Sequence, residues 1–163
     1  MPTPKDATSE VAKSTQRVGM FFCIEKQDEL DSVYEFVNQI KDELGSVTAL
    51  VFYLGKSKTD QHPEDIFWID KKAFNLFGHM KSKLKNKLQK QTFDLFISFV
   101  TCDAKKCADI LKFTGARLKV GPRQMQGKQI VDISLAVPNG RMDYSEFYQQ
   151  LTFYMKKLKI KIQ

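Results

Sequence analysis

This chain has little of what catalytic sites are usually built from. It contains only two histidines, His62 and His79, and three cysteines, Cys23, Cys102 and Cys107, in 163 residues. So small and odd a cysteine set is no disulfide framework, and without histidines at zinc spacing it forms no zinc signature. The eight glycines make neither G-x-G-x-x-G nor G-x-x-x-x-G-K-[ST], which excludes the usual dinucleotide and P-loop motifs. Paired carboxylates for acid–base work are not evident, and neither a metal nor a cofactor is expected. No apolar run approaches the ~20 residues that span a bilayer. Residues Met1 to Arg17 are polar and lack the apolar core of a secretory signal. They read as a disordered leader, and the protein as cytoplasmic.

One further absence is local. Residues 71–90 hold seven lysines (Lys71, Lys72, Lys81, Lys83, Lys85, Lys87, Lys90) and no acid. The whole chain carries 26 basic and 19 acidic residues, a net charge of +7. That stretch therefore accounts for the entire excess. Positive charge gathered in one place points to an anionic partner rather than to solubility.

What is present is a fold pattern. The 42% apolar content is that of a globular chain, long enough for one ordinary domain over residues 18–163. Val18–Ile24 and Val47–Leu54 are continuous apolar runs of strand length, the pattern of strands covered on both faces. Between them Leu30, Val33, Val37, Ile40 and Leu44 recur at helical spacing, and Gly45 stops the helix. Residues 56–70 are irregular, with a short extended piece at Ile66–Ile69. Lys71 to Lys90 reads as a crossover helix with Ala73, Phe77, Met80, Leu84 and Leu88 on one stripe, breakable at Gly78. Phe93–Val100 is a third buried strand. Asp103 caps the next helix, Gly115 ends it, and Ala116–Val120 is a fourth strand. The nine residues from Gly121 to Gln129 fall short of the dozen or so of a parallel crossover, so Ile130–Val137 is expected antiparallel. Pro138-Asn139-Gly140 is a turn. Asp143 and Glu146 then form a capping box for a last helix with Tyr144, Phe147, Leu151, Tyr154 and Leu158 as its buried face.

The pieces K-K-A-F-N-L-F-G (71–78), F-D-L-F-I-S-F (93–99), A-R-L-K-V-G (116–121), D-I-S-L-A-V (132–137) and E-F-Y-Q-Q-L-T-F-Y-M-K-K-L (146–158) resemble a family of small bacterial proteins known only as a domain of unknown function. The likeness runs over about residues 18–158. It implies a Rossmann-like α/β fold and cytoplasmic residence, and it supplies no reaction and no catalytic residues. That family usually has mixed charge after the F-G, where this chain has only lysine. Pattern and resemblance together give the expected fold class: a three-layer Rossmann-like or flavodoxin-like α/β sandwich. Its sheet has about five mostly parallel strands and an antiparallel last strand.

Three places invite function. In open α/β sheets ligands sit beyond the carboxyl ends of the strands, where the strand order reverses. For an order 2-1-3-4 that crevice holds Glu25, Lys26 and Gln27 after the first strand, and Thr101, Cys102 and Asp103 after the third. Cys102 at a helix start is either a reactive thiol or a small residue filling a turn. Arg117, Lys119, Arg123 and Lys128 either hold a phosphate or an RNA backbone, or guard an edge strand. The lysines at 81, 83, 85, 87 and 90 either contact phosphates, accompany an apolar stripe into a membrane surface, or are merely solvated. Tyr53, Phe67 and Trp68 are the aromatic candidates for base stacking. The leading expectation is a non-catalytic adaptor for RNA or a ribonucleoprotein. The alternatives are a small-ligand protein or enzyme using the crevice, and a structural homodimer subunit.

Overall fold

The computed structural model describes residues 17–55, 66–101, 104–123, 130–137 and 141–157. Its elements are β1 (Val18–Ile24), α1 (Gln27–Leu44), β2 (Val47–Tyr53), β3 (Ile66–Ile69), a 3-10 turn (Lys71–Ala73), α2 (Ser82–Gln89), β4 (Phe93–Ser98), α3 (Lys105–Phe113), β5 (Ala116–Pro122), β6 (Ile133–Leu135) and α4 (Tyr144–Lys157). The six strands form one sheet in the order β3-β2-β1-β4-β5-β6, and every neighbouring pair is parallel. This is the 3-2-1-4-5-6 order of the Rossmann fold rather than the flavodoxin order.

Parallel strands need cover on both faces, and side-chain alternation supplies two apolar surfaces. Met20, Phe22 and Ile24 of β1 join Leu95 and Ile97 of β4 under α1 and α4. Phe21, Leu50, Phe52, Phe93 and Phe96 join Leu84, Leu88, Ile110 and Leu111 of α2 and α3 on the other side. Rings fill much of both layers: Phe22 stacks on Phe99 at 5.0 Å and Phe93 on Phe96 at 5.6 Å between centroids. Gly19 makes room for the second pair. A Cβ there would lie 2.6 Å from a Phe96 ring carbon and 2.9 Å from Phe93.

The structure corrects the sequence reading at the C-terminal edge. β6 is parallel to β5, not antiparallel, and the sheet has six strands, not five. Ile133, Ser134 and Leu135 pair with Val120, Gly121 and Pro122, the last three residues of β5. From Pro122 the chain need only step back about two residue rises, roughly 7 Å, before pairing begins. So short a step does not require the length of a full crossover helix. Asp132 locks the register: its backbone N–H donates to the Lys119 carbonyl at 2.8 Å, and its carboxylate accepts from the Lys119 N–H at 2.8 Å.

The lysine segment also differs from a single helix. Only Ser82–Gln89 is α-helical. Residues 74–80 form a tight hairpin closed by the Phe74–Met80 bridge, with Gly78 at φ +80°, a left-handed conformation that glycine adopts freely. Leu84 and Leu88 are buried as expected, whereas Phe77 is 85% exposed and Leu76 fully so. In α4 the buried face is Phe147, Tyr148, Leu151 and Met155, with Tyr154 turned outward. The Asp143 carboxylate does cap this helix, accepting the Glu146 N–H at 3.0 Å. Arg17, the last residue of the expected leader, is part of the ordered body. Its N–H donates to Asp94 at 2.8 Å and its guanidinium to Thr92 at 2.7 Å. The rest of the expected leader, the cap Asp103, the 138–140 turn and Leu158 lie outside the described residues.

Candidate functional site

β1 sits between β2 and β4, and the chain leaves these strands in opposite directions, through α1 to β2 and through α3 to β5. The reversal of strand order thus falls between β1 and β4, where the sequence placed it. Glu25 and Lys26 are exposed there and Thr101 is partly buried; Cys102 and Asp103 lie outside the described residues. In nucleotide-binding folds the free N–H groups of this turn hold a phosphate. Here the chain's own Glu29 takes them: its carboxylate accepts the Glu25 N–H at 2.7 Å and the Lys26 N–H at 3.2 Å.

Beside this turn lies an open cavity of about 510 Å³ lined by Cys23, Glu29, Glu35, Asp143 and Tyr144, among others. Three carboxylates in the lining make it a poor home for an anion. The Cys107 thiol hydrogen-bonded to Cys23 holds the Cys23 thiol below its ordinary range, against burial and the charges of Glu25 and Glu29. Burial raises the Tyr144 phenol, and Glu29 and Cys23 add to the rise. The pairing of Cys23 with Cys107, strand against α3, had no signal in the sequence because the two lie 84 positions apart (107 − 23).

The other face of the sheet is basic. Packing α2 against α3 gathers Lys81, Lys83, Lys85, Lys87 and Lys90 with Lys105, Lys106 and Lys112 on one side of the molecule. Residues 71–90 and 104–114 together carry ten lysines against one carboxylate, Asp109. Lys81, Lys83, Lys87 and Lys90 are exposed, and among the described residues the lysines of α2 form no ion pair. Lys85 is half-buried, its ammonium 4.6 Å from the centre of the Phe113 ring, with Lys112 at 5.6 Å from the same ring. Such cation–π contacts hold the two helices together while leaving the charge uncancelled. The opposite layer is acidic: residues 25–44 carry seven carboxylates against two lysines.

The second basic group divides. Arg117 and Arg123 are exposed, although Arg117 lies 3.8 Å from Asp94. The Lys119 ammonium turns inward and donates to the Lys112 carbonyl at the end of α3, at 3.0 Å. Burial holds it below the ordinary lysine range, and Asp132 opposes the shift. Lys119 therefore serves a helix end rather than the surface. Lys128 lies outside the described residues. The aromatic candidates are likewise committed to packing: Tyr53 is buried against Trp68 at 5.2 Å, and Phe67 packs on the α2–α3 core. A ring that does face solvent, Phe77, falls on the apolar stripe predicted for the core. The turn formers Asn75 and Gly78 on either side were the signal that could have found it.

Among the described residues no three metal-ligating side chains converge, and no helix is long and apolar enough to cross a membrane. No curated protein and no solved structure matches the chain. One family model does, over residues 2–158, and it is described as a family of unknown function. A match of that length carries the β-α-β units, the lysine segment and the last helix together, so the chain belongs to that family, DUF6913.

Proposed function

We propose that this protein is a cytoplasmic, non-catalytic binding module that engages RNA, free or in a ribonucleoprotein, through the lysine face of α2 and α3. The observation that carries the reading is the sorting of charge by layer: ten lysines in the segments that cover one face of the sheet, six carboxylates in the helix α1 on the other. An extended polyanion matches a broad band of unpaired cations. The membrane alternative needs an apolar stripe beside the lysines, and Leu84 and Leu88 of that stripe are buried in the core. Arg117 and Arg123 extend the basic surface toward β5.

The test is binding of a labelled single-stranded RNA at several salt concentrations. Affinity should fall steeply with salt, with a log–log slope of about −0.7 per phosphate contacted. The Lys81→Glu, Lys83→Glu, Lys85→Glu, Lys87→Glu variant should lose binding at every salt concentration. Unchanged binding by that variant would refute the reading. A second reading, a homodimer formed through the last helix, is favoured by Phe153 and Tyr154, which stand 55% and 41% exposed on α4. Sedimentation equilibrium of the native chain against a Phe153→Ser, Tyr154→Ser variant decides that point.

A further inference from the structure

The hairpin that precedes α2 is built with more care than a connecting loop needs. The Asn75 N–H donates to the His79 carbonyl at 2.8 Å, and the Gly78 N–H to the Asn75 carbonyl at 3.0 Å. The Asn75 side-chain oxygen accepts both the Phe77 and the His79 N–H at 2.9 Å. The Lys81 N–H donates to the Ala73 carbonyl at 2.9 Å. Phe74, at the base, is buried and packs 5.5 Å from Phe52. The hairpin is thus anchored in the core below and closed by hydrogen bonds above. What it holds out to solvent is Phe77, 85% exposed, beside a fully exposed Leu76.

An aromatic ring fixed in water forgoes burial, so its position calls for a ligand with an apolar face. The surroundings define that ligand's other half. The hairpin is flanked in sequence by Lys71, Lys72 and Lys81. From the neighbouring helix Lys106 reaches over it: its ammonium is 5.4 Å from the Phe74 ring centre, and its Cε is 3.9 Å from where a Cβ on Gly78 would stand. A flat π-face next to several cations suits a nucleobase joined to its phosphate.

We infer that Phe77 is a base-stacking platform: a nucleotide of single-stranded RNA stacks on its ring, with the adjoining phosphate on Lys106 and Lys81. This inference rests on the RNA reading above and adds to it the choice of single-stranded over duplex RNA. Stacking requires an unpaired base, whereas lysines alone take either form. It also predicts that affinity divides into two parts, a salt-sensitive one from the lysines and a salt-insensitive one from the ring.

The experiment measures binding of the full chain to a labelled 12-nucleotide oligouridylate, and to a 12-base-pair RNA duplex, between 50 and 200 mM salt. The variants are Phe77→Ala, Phe77→Tyr and the four-lysine variant, with vesicles of phosphatidylcholine and phosphatidylserine as a further probe. Phe77→Ala should weaken oligouridylate binding about ten- to hundredfold, within the range for loss of one stacked base, with the salt slope unchanged. Phe77→Tyr should restore it, and duplex binding should not respond to either change. If Phe77→Ala binds the oligomer as the native chain does while the lysine variant fails, the stacking platform is wrong and the RNA reading stands. If the native chain binds neither RNA, both fail. If it binds the vesicles in a Phe77-dependent way and not the oligomer, the hairpin is a membrane wedge and both are overturned.

Discussion

Phe77 and Tyr148 show how differently two aromatic residues of one chain are placed. Tyr148 is 6% exposed on the inner face of α4. Burial, aided by the Glu43 carboxylate, pushes its phenol up to about 12 from an ordinary value of 10.0. Above pH 10 the unfolded chain releases this proton and the folded chain keeps it, so stability falls as pH rises toward 12. Tyr144 acts in the same sense. Lys119 acts in the opposite one: its folded form gives up its proton below the ordinary 10.5, so its contribution to stability rises as pH approaches that value. Both tyrosines thus work against stability at alkaline pH. Tyr148→Phe should therefore flatten the loss of stability between pH 10 and 12, read by denaturant melts across that range. An unchanged alkaline limb would show that other groups control it. Phe77 was misplaced from sequence because apolar spacing cannot tell a ring on a helix from one on a hairpin, and only the Asn75–Gly78 backbone makes the difference.

At the scale of elements, the strands and their order were largely legible, because buried parallel strands are apolar runs and glycines punctuate them. Gly19 and Asp143 test two of the local reasons. Gly19→Ala forces the Phe93 and Phe96 rings to move and should cost about 1–3 kcal/mol through overpacking. Asp143→Ala removes the oxygen that accepts the Glu146 N–H and should cost about 1 kcal/mol as a lost N-cap. Both are measured by urea denaturation. A neutral Gly19→Ala would mean that the ring layer has slack. β6 was misread because loop length bounds a crossover only when the next strand pairs along the whole of its neighbour. Three paired residues at the end of β5 need less chain. The 71–90 segment was misread because lysine and leucine favour helix throughout, while the hydrogen bonds of Asn75 break the helix before it starts.

Over the whole molecule, the basic and acidic halves are held apart by the sheet. The exposed lysines contribute charge and not packing, which leads to a separable prediction. Lys83→Glu with Lys87→Glu should leave the melting temperature nearly unchanged, since exposed substitutions are usually worth no more than about 0.5 kcal/mol each. The same change should sharply reduce the salt needed to elute the protein from a polyanion column. A large drop in melting temperature would instead make these lysines structural. The crevice at the switch point offers a contrast: Glu29 fills the turn that would hold a phosphate.

By itself the sequence determined the α/β class, the buried strands, the Gly45 stop of α1, the Asp143 cap of α4 and the confinement of the excess charge to twenty residues, because each is encoded by residues near one another in the chain. Tertiary structure alone decided three things: that α1 and α2 cover opposite faces and so separate acid from base, that Lys119 turns inward to a helix end, and that Cys23 meets Cys107. Those outcomes depend on which strand lies beside which and on what packs beneath a loop, and contacts between distant residues leave no periodicity in the chain.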